Sequence, residues 1–89
     1  MKSVTDETFN NDVIVRSETL PVIVDLWAPW CEPCKSLTPL LEDAVKGHGQ
    51  ELILAKIDID QNQNIAAQLR IQSIPTVYTC LLYTSDAAD

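Results

Sequence analysis

Val22-Ile23-Val24-Asp25-Leu26-Trp27-Ala28-Pro29-Trp30-Cys31-Glu32-Pro33-Cys34-Lys35 is the stretch on which the reading turns. Its first half is a β-branched, nearly continuous apolar run, the pattern of a strand covered on both faces. Pro21 opens that run and Pro29 marks the turn that ends it. From Cys31 to about Lys46 the period becomes helical, with Leu37, Leu40, Leu41, Ala44 and Val45 on one face and Gly47 and Gly49 closing the helix. Pro39 lies inside it, removes one backbone hydrogen bond and is expected to bend it. The two cysteines thus stand where a buried central strand hands over to a helix.

Working outward, Val4 to Phe9 reads as a short strand followed by a helix start, with Thr5 as N-cap and acidic residues in the first turn. That helix is expected to run to about Ser17. Downstream, Leu52 to Ile59 reads as a third strand, Asn62 to Leu69 as a short helix, and Ile71 to Tyr78 as a further extended segment. Alternating strands and helices predict an α/β sheet, at least partly parallel, with helices on both faces.

The chain has 89 residues, room for one small domain of thin stability. Its 46% hydrophobic content is that of a chain that forms a core, not of a disordered one. The net charge of -7, spread along the chain, repels phosphate backbones and anionic lipid, so neither nucleic acid nor membrane is an expected partner. Met1 to Asp12 contains no apolar run of signal-peptide length, and no stretch reaches the roughly 18 apolar residues of a membrane span. A cytoplasmic protein is the expectation.

A cysteine at or just before a helix N-terminus meets unpaired backbone N–H groups and the positive end of the helix dipole, which stabilise a thiolate. Cys34, one turn later, comes within reach of Cys31, so one thiol can attack a disulfide and the other can resolve the product. Zinc is the competing use of a C-x-x-C pair and needs two further ligands. Cys80 and His48 are the only candidates and show no second ligand spacing. Pro33 between the cysteines also suits a redox turn better than a zinc knuckle, so no metal is expected. Asp25 interrupts an apolar strand, and burial of its carboxylate without a partner predicts a raised pKa.

The segment from Val24 to Lys35, together with Ile74-Pro75-Thr76, resembles the thioredoxin family over about Val4 to Tyr78. Ile57-Asp58-Ile59-Asp60-Gln61-Asn62 and Gln72-Ser73-Ile74-Pro75 resemble in particular the domain that opens bacterial tetratricopeptide-containing thioredoxins, which act with chaperones. The resemblance implies a thioredoxin fold, a central mixed sheet flanked by helices, and an enzyme that reduces or exchanges protein disulfides without a cofactor beyond its own Cys31–Cys34 pair. It implies Cys31 as nucleophile, Cys34 as resolving thiol and Asp25 as the buried acid that exchanges a proton with Cys34, with Lys56 near that acid. Trp30 and Pro33 would shape the surface around the dithiol, and Pro75 would be a cis-proline facing it, preceded by Ile74, whose backbone binds an extended substrate. A thioredoxin reductase, dependent on flavin and nicotinamide, would restore the electrons, and a chaperone is a further partner.

Two rival readings arise from the same segments. One is a thioredoxin-like binding head of a chaperone-associated repeat protein. The other is a membrane-tethered periplasmic oxidoreductase, some of which share Cys-Glu-Pro-Cys but carry an N-terminal signal or anchor. Two departures from the family pattern stand out. Glu32 replaces the usual glycine, and its charge should modestly disfavour the neighbouring thiolate. After Tyr78, Thr79 to Asp89 lacks the family's last strand and closing helix. Residues 1–78 are therefore read as an incomplete thioredoxin-like domain and 79–89 as an atypical tail, non-native or disordered, which leaves an exposed strand edge prone to association.

Overall fold

The apolar run of the decisive stretch becomes β2 (Val22–Trp27), which pairs in parallel with β3 (Ile53–Asp58) and antiparallel with β4 (Thr76–Cys80). A two-residue β1 (Lys2–Ser3) adds to the far side of β3, so the sheet order is β1-β3-β2-β4. These relations come from a computed structural model that describes residues 2–49 and 51–81. Residues 82–89, which hold most of the atypical tail, lie outside the described residues, while Thr79 and Cys80 belong to β4. Among the described residues β4 is the outer strand on its side, with Val77 and Tyr78 exposed.

Because side chains alternate across a strand, β2 sends two different sets to its two faces. Val22, Val24 and Leu26 join Ala55 and Ile57 of β3 in the main core, covered by Val4, Val13 and Ile65 from the N-terminal segment and from helix α2 (Gln63–Gln68). On the opposite face lies helix α1 (Glu32–Lys46), the crossover between the parallel strands β2 and β3, whose Thr38 touches Asp25. Helices on both faces of a mixed sheet are the predicted architecture. Along α1 Cys34 and Thr38 are buried and Leu37, Leu41, Glu42 and Val45 half-buried, a spacing of one broad helix face. Leu40, read from the sequence as part of that face, stands about 200° from Thr38 at 100° per residue and is 64% exposed.

The continuous helix expected from Thr5 to Ser17 is not what forms. Thr5 does bond the start of the segment: its hydroxyl accepts from the Thr8 N–H at 3.2 Å and its own N–H donates to Thr8 Oγ1 at 2.9 Å. Beyond it the chain makes wide, i→i+5 turns over Asn10–Val15 and a tight turn over Arg16–Glu18. Asn10-Asn11-Asp12 and the β-branched Val13-Ile14-Val15 are weak helix formers. Burial of Val13 and Ser17 holds the segment instead, with the Ser17 hydroxyl donating to the Ile14 carbonyl at 2.7 Å.

This segment is tied to α2 by a reciprocal lock. The Asp6 N–H donates to Asn62 Oδ1 at 2.8 Å, and the Asp6 carboxylate accepts from the N–H groups of Ile65 at 2.9 Å and Asn64 at 3.3 Å. Asp6 thereby does for α2 what the helix's own N-cap, Asn62, does not, since Asn62 makes no side-chain cap bond. Asp6→Ala is expected to lower stability by about 1–2 kcal/mol, measured by urea unfolding at neutral pH. An unchanged midpoint would show the lock to be energetically idle. No helix among the described residues is long and apolar enough to cross a membrane.

Candidate active site

Cys31 closes the turn after β2, its N–H donating to the Ala28 carbonyl at 3.0 Å. It is the N-cap of α1 in extended conformation, and its sulfur accepts the Cys34 N–H at 3.2 Å. A free N–H of the helix's first turn is thus aimed at the sulfur on which negative charge develops. Pro33 occupies the first turn, where a missing N–H leaves no gap in the helix ladder. The two cysteine Cα atoms are 5.3 Å apart, and the sulfurs are joined as a disulfide, the oxidised form of the pair. Both cysteines are buried, Cys31 at 4% and Cys34 at 1% exposure. Glu32 points outward and pairs with Lys35 at 3.0 Å, which offsets the charge that the sequence placed beside the thiolate.

Asp25 is fully buried in the middle of β2, with Thr38 Oγ1 donating to its Oδ2 at 2.9 Å. Oδ1 is buried with no hydrogen-bond partner. Burial therefore raises its pKa above the ordinary 3.8, opposed by the Thr38 hydrogen bond and by the charge of Lys56, and reinforced by Glu42. Lys56 stands at the paired position on β3 and extends over the Trp27 ring, 5.0 Å from its centroid. Among the described residues no ion pair joins Lys56 to Asp25, so the lysine acts on the acid through space. Trp27 is half-buried and packs against the cluster of Ala28, Cys31 and Cys34.

A carboxyl whose folded pKa lies above its unfolded value binds more protons when folded across the interval between the two. Stability then falls as pH rises through that interval, and the penalty is complete above it. Asp25→Asn, which keeps an oxygen for Thr38, is expected to stabilise the fold at neutral pH by about 1–3 kcal/mol. The gain will fade on acidification toward the unfolded carboxyl's pKa, and urea titrations at several pH values check both signs. Equal stability of variant and parent at neutral pH would show that the buried charge carries no penalty.

The remaining residues named from the sequence fall into two groups. Ile74 packs against the cluster of Ala28, Cys31 and Cys34, and the Ile74–Pro75 peptide is cis. Trp30 is 64% exposed beside the dithiol, its indole Nε1 donating to Asp60 Oδ2 at 2.9 Å. Cys80 and His48, by contrast, do not join the C-x-x-C pair. His48 lies near Glu51 at the end of α1, and Cys80 sits on β4 against the main core, where burial pushes its thiol pKa up. Among the described residues no group of three or more His, Cys, Asp and Glu could hold a metal ion. Thr38 went unnoticed in the sequence. The available signal was a hydroxyl four residues after Cys34 on an otherwise apolar helix face.

A sulfur pair on a helix N-terminus, interconvertible between dithiol and disulfide and backed by a buried acid, defines a thiol–disulfide oxidoreductase. Residues 1–86 match the thioredoxin family model. A thioredoxin of Streptomyces clavuligerus is 48% identical over 77 residues, covering 86% of this chain and 69% of the relative. A bifunctional thioredoxin reductase/thioredoxin of Mycobacterium leprae is 43% identical over 74 residues, 83% of this chain and 16% of that protein. The crystal structure of chloroplastic thioredoxin z superposes with a TM-score of 0.80 at 30% identity, covering 89% of this chain and 68% of that one. The chain belongs to the thioredoxin family.

Proposed function

We propose that this chain works in the cytoplasm as a reductase of protein disulfides, with Cys31 attacking and Cys34 resolving. The observation that carries the proposal is Cys31 at the N-cap of α1, its sulfur accepting the Cys34 N–H at 3.2 Å. In the reduced enzyme the Cys31 thiolate attacks one sulfur of a substrate disulfide; a mixed disulfide forms and the other substrate sulfur leaves as thiolate. Cys34 then passes its proton to the Asp25 carboxylate and attacks the Cys31 sulfur. The Cys31–Cys34 bond forms and the second substrate sulfur leaves. The dithiol loses two electrons and the substrate disulfide gains two.

Lys56 tunes Asp25 in this scheme, lowering the carboxyl's pKa and so limiting the fraction that is protonated at rest. Trp30, Pro33, Ile74 and Pro75 line the surface that receives the substrate: Trp30 and Pro33 are exposed beside the dithiol, and Ile74 packs against it. A separate thioredoxin reductase restores the dithiol. Support for that partner comes from the Mycobacterium leprae relative, whose name joins the two activities in one chain. A chaperone partner and a purely binding role have no support in the names of these relatives.

Reduction of insulin disulfides by the full chain in dithiothreitol, beside Cys31→Ser and with circular dichroism on the same samples, tests the proposal. Turnover that disappears in the variant supports it. A folded chain without turnover overturns it in favour of a binding module.

A further inference from the structure

Behind the dithiol, Cys34, Lys35, Thr38, Pro39 and Glu42 of α1 face Trp27 of β2 and Lys56 of β3 across a cavity of about 250 Å³. That is room for several water molecules. Cys34 and Thr38 are four residues apart and so stand one above the other on the inner face of the helix. Thr38 is the residue through which this cavity wall reaches the acid: its hydroxyl donates to Asp25 Oδ2 at 2.9 Å, while Oδ1 has no partner.

We propose that Thr38 is a positioning residue for the resolving step: its hydroxyl occupies Asp25 Oδ2 and leaves Oδ1 as the oxygen that takes the Cys34 proton. This rests on the reading of Asp25 as the acceptor for Cys34. A threonine inside a helix commonly turns its hydroxyl back onto a carbonyl of its own helix. Here it is given to a carboxylate on the facing strand, a charge-assisted bond that fixes the carboxylate's orientation. The same bond favours the ionised carboxylate, which is the form that can accept a proton.

The other groups around Asp25 work by charge rather than by contact. Lys56, paired with it on β3, favours ionisation, and Glu42, further along α1, opposes it. The paired position on β4 is Val77, which carries no charge. Lys35 and Glu42 line the cavity mouth with Lys56. Among these, Thr38 alone sets the angle at which the carboxylate is presented.

With the third thiol removed by Cys80→Ala in every protein compared, a dinitrobenzoate disulfide separates the steps, because one coloured aromatic thiolate is released when Cys31 attacks and a second when Cys34 resolves. The second release is followed against pH for the reduced full chain, Thr38→Val, Thr38→Ser and Asp25→Asn. Removing a hydrogen bond to the ionised form is expected to move the rising limb for Thr38→Val up by about one pH unit, with the first release unchanged. Thr38→Ser is expected to restore the parent limb. A Thr38→Val profile that superposes on the parent overturns the inference, as does a shift that serine fails to rescue, which would be a packing effect. A limb that survives unaltered in Asp25→Asn overturns the reading of Asp25 itself, and the inference with it. A limb lost in Asp25→Asn but unmoved in Thr38→Val removes only the role given to Thr38.

Discussion

Replacing the Cys31 sulfur by oxygen, Cys31→Ser, will lower disulfide turnover by on the order of a thousandfold or more, without unfolding the chain. The reason lies in ionisation. A helix N-terminus can bring a thiol pKa into the neutral range, whereas an alcohol stays protonated there and gives no nucleophile. Cys34→Ser will behave differently, and the contrast is the sharper test. It retains the attacking sulfur at the N-cap, so the mixed disulfide will form and persist, one substrate per chain. Mass spectrometry of unreduced samples after exposure to a disulfide-bonded protein, with the adduct located by peptide mapping to distinguish it from one on Cys80, should show it at Cys31 with Cys34→Ser and none at Cys34 with Cys31→Ser. An adduct at Cys34 in the opposite variant would mean that the two cysteines exchange roles.

The largest effect on stability is expected at Leu26. It is fully buried in the central strand, one residue from Asp25, and its side chain fills the core between the N-terminal segment and α2. Leu26→Ala will destabilise by about 2–5 kcal/mol, since the lost burial is joined by a cavity that close-packed neighbours fill only in part. Whole domains have only about 5–15 kcal/mol, and one this small lies toward the lower end. The variant is therefore expected to populate unfolded chain at 25 °C, seen as a loss of the cooperative thermal transition. Leu40→Ala removes an equally large side chain from the same domain, but from a site 64% exposed on α1, and is expected to fall within about 0.5 kcal/mol of the parent. Similar losses at both positions would mean that the core described for this face is not the one that holds the fold.

How far the sequence could be read depended on whether a signal was local. The β2-to-α1 handover was legible because a buried strand, a turn proline and a helical period meet within fourteen residues from Val22 to Lys35. Asp25 was legible for the same reason, as a charge in an apolar run. The N-terminal segment misled because its start signal at Thr5 is genuine while the residues beyond Phe9 are governed by packing: Val13 and Ser17 are pulled into the core, and poor helix formers yield to wider turns. Leu40 misled because a run of leucines makes a broad apolar stripe of which only part is covered. Thr38 could not be assigned from its neighbours, since its partner lies thirteen residues away on another element. The Asp6 lock was beyond reach for a stronger version of that reason, because its partners lie 56 to 59 residues downstream.

That last separation also orders events in time. The first strand pairs with Ala55 and Lys56, and Asp6 waits for Asn62, Asn64 and Ile65. Ribosomes extend a chain at about 5–20 residues per second, so the amino-terminal segment spends seconds outside the tunnel before its partners emerge. β2 and α1 follow one another directly in the chain, so the sulfur-bearing helix meets its strand over a short loop, whereas β3, which both β1 and β2 need, is made later. The part of the chain made first thus stays without its partners until β3 and α2 have been made, and it closes longer loops than the strand and helix that carry the sulfurs.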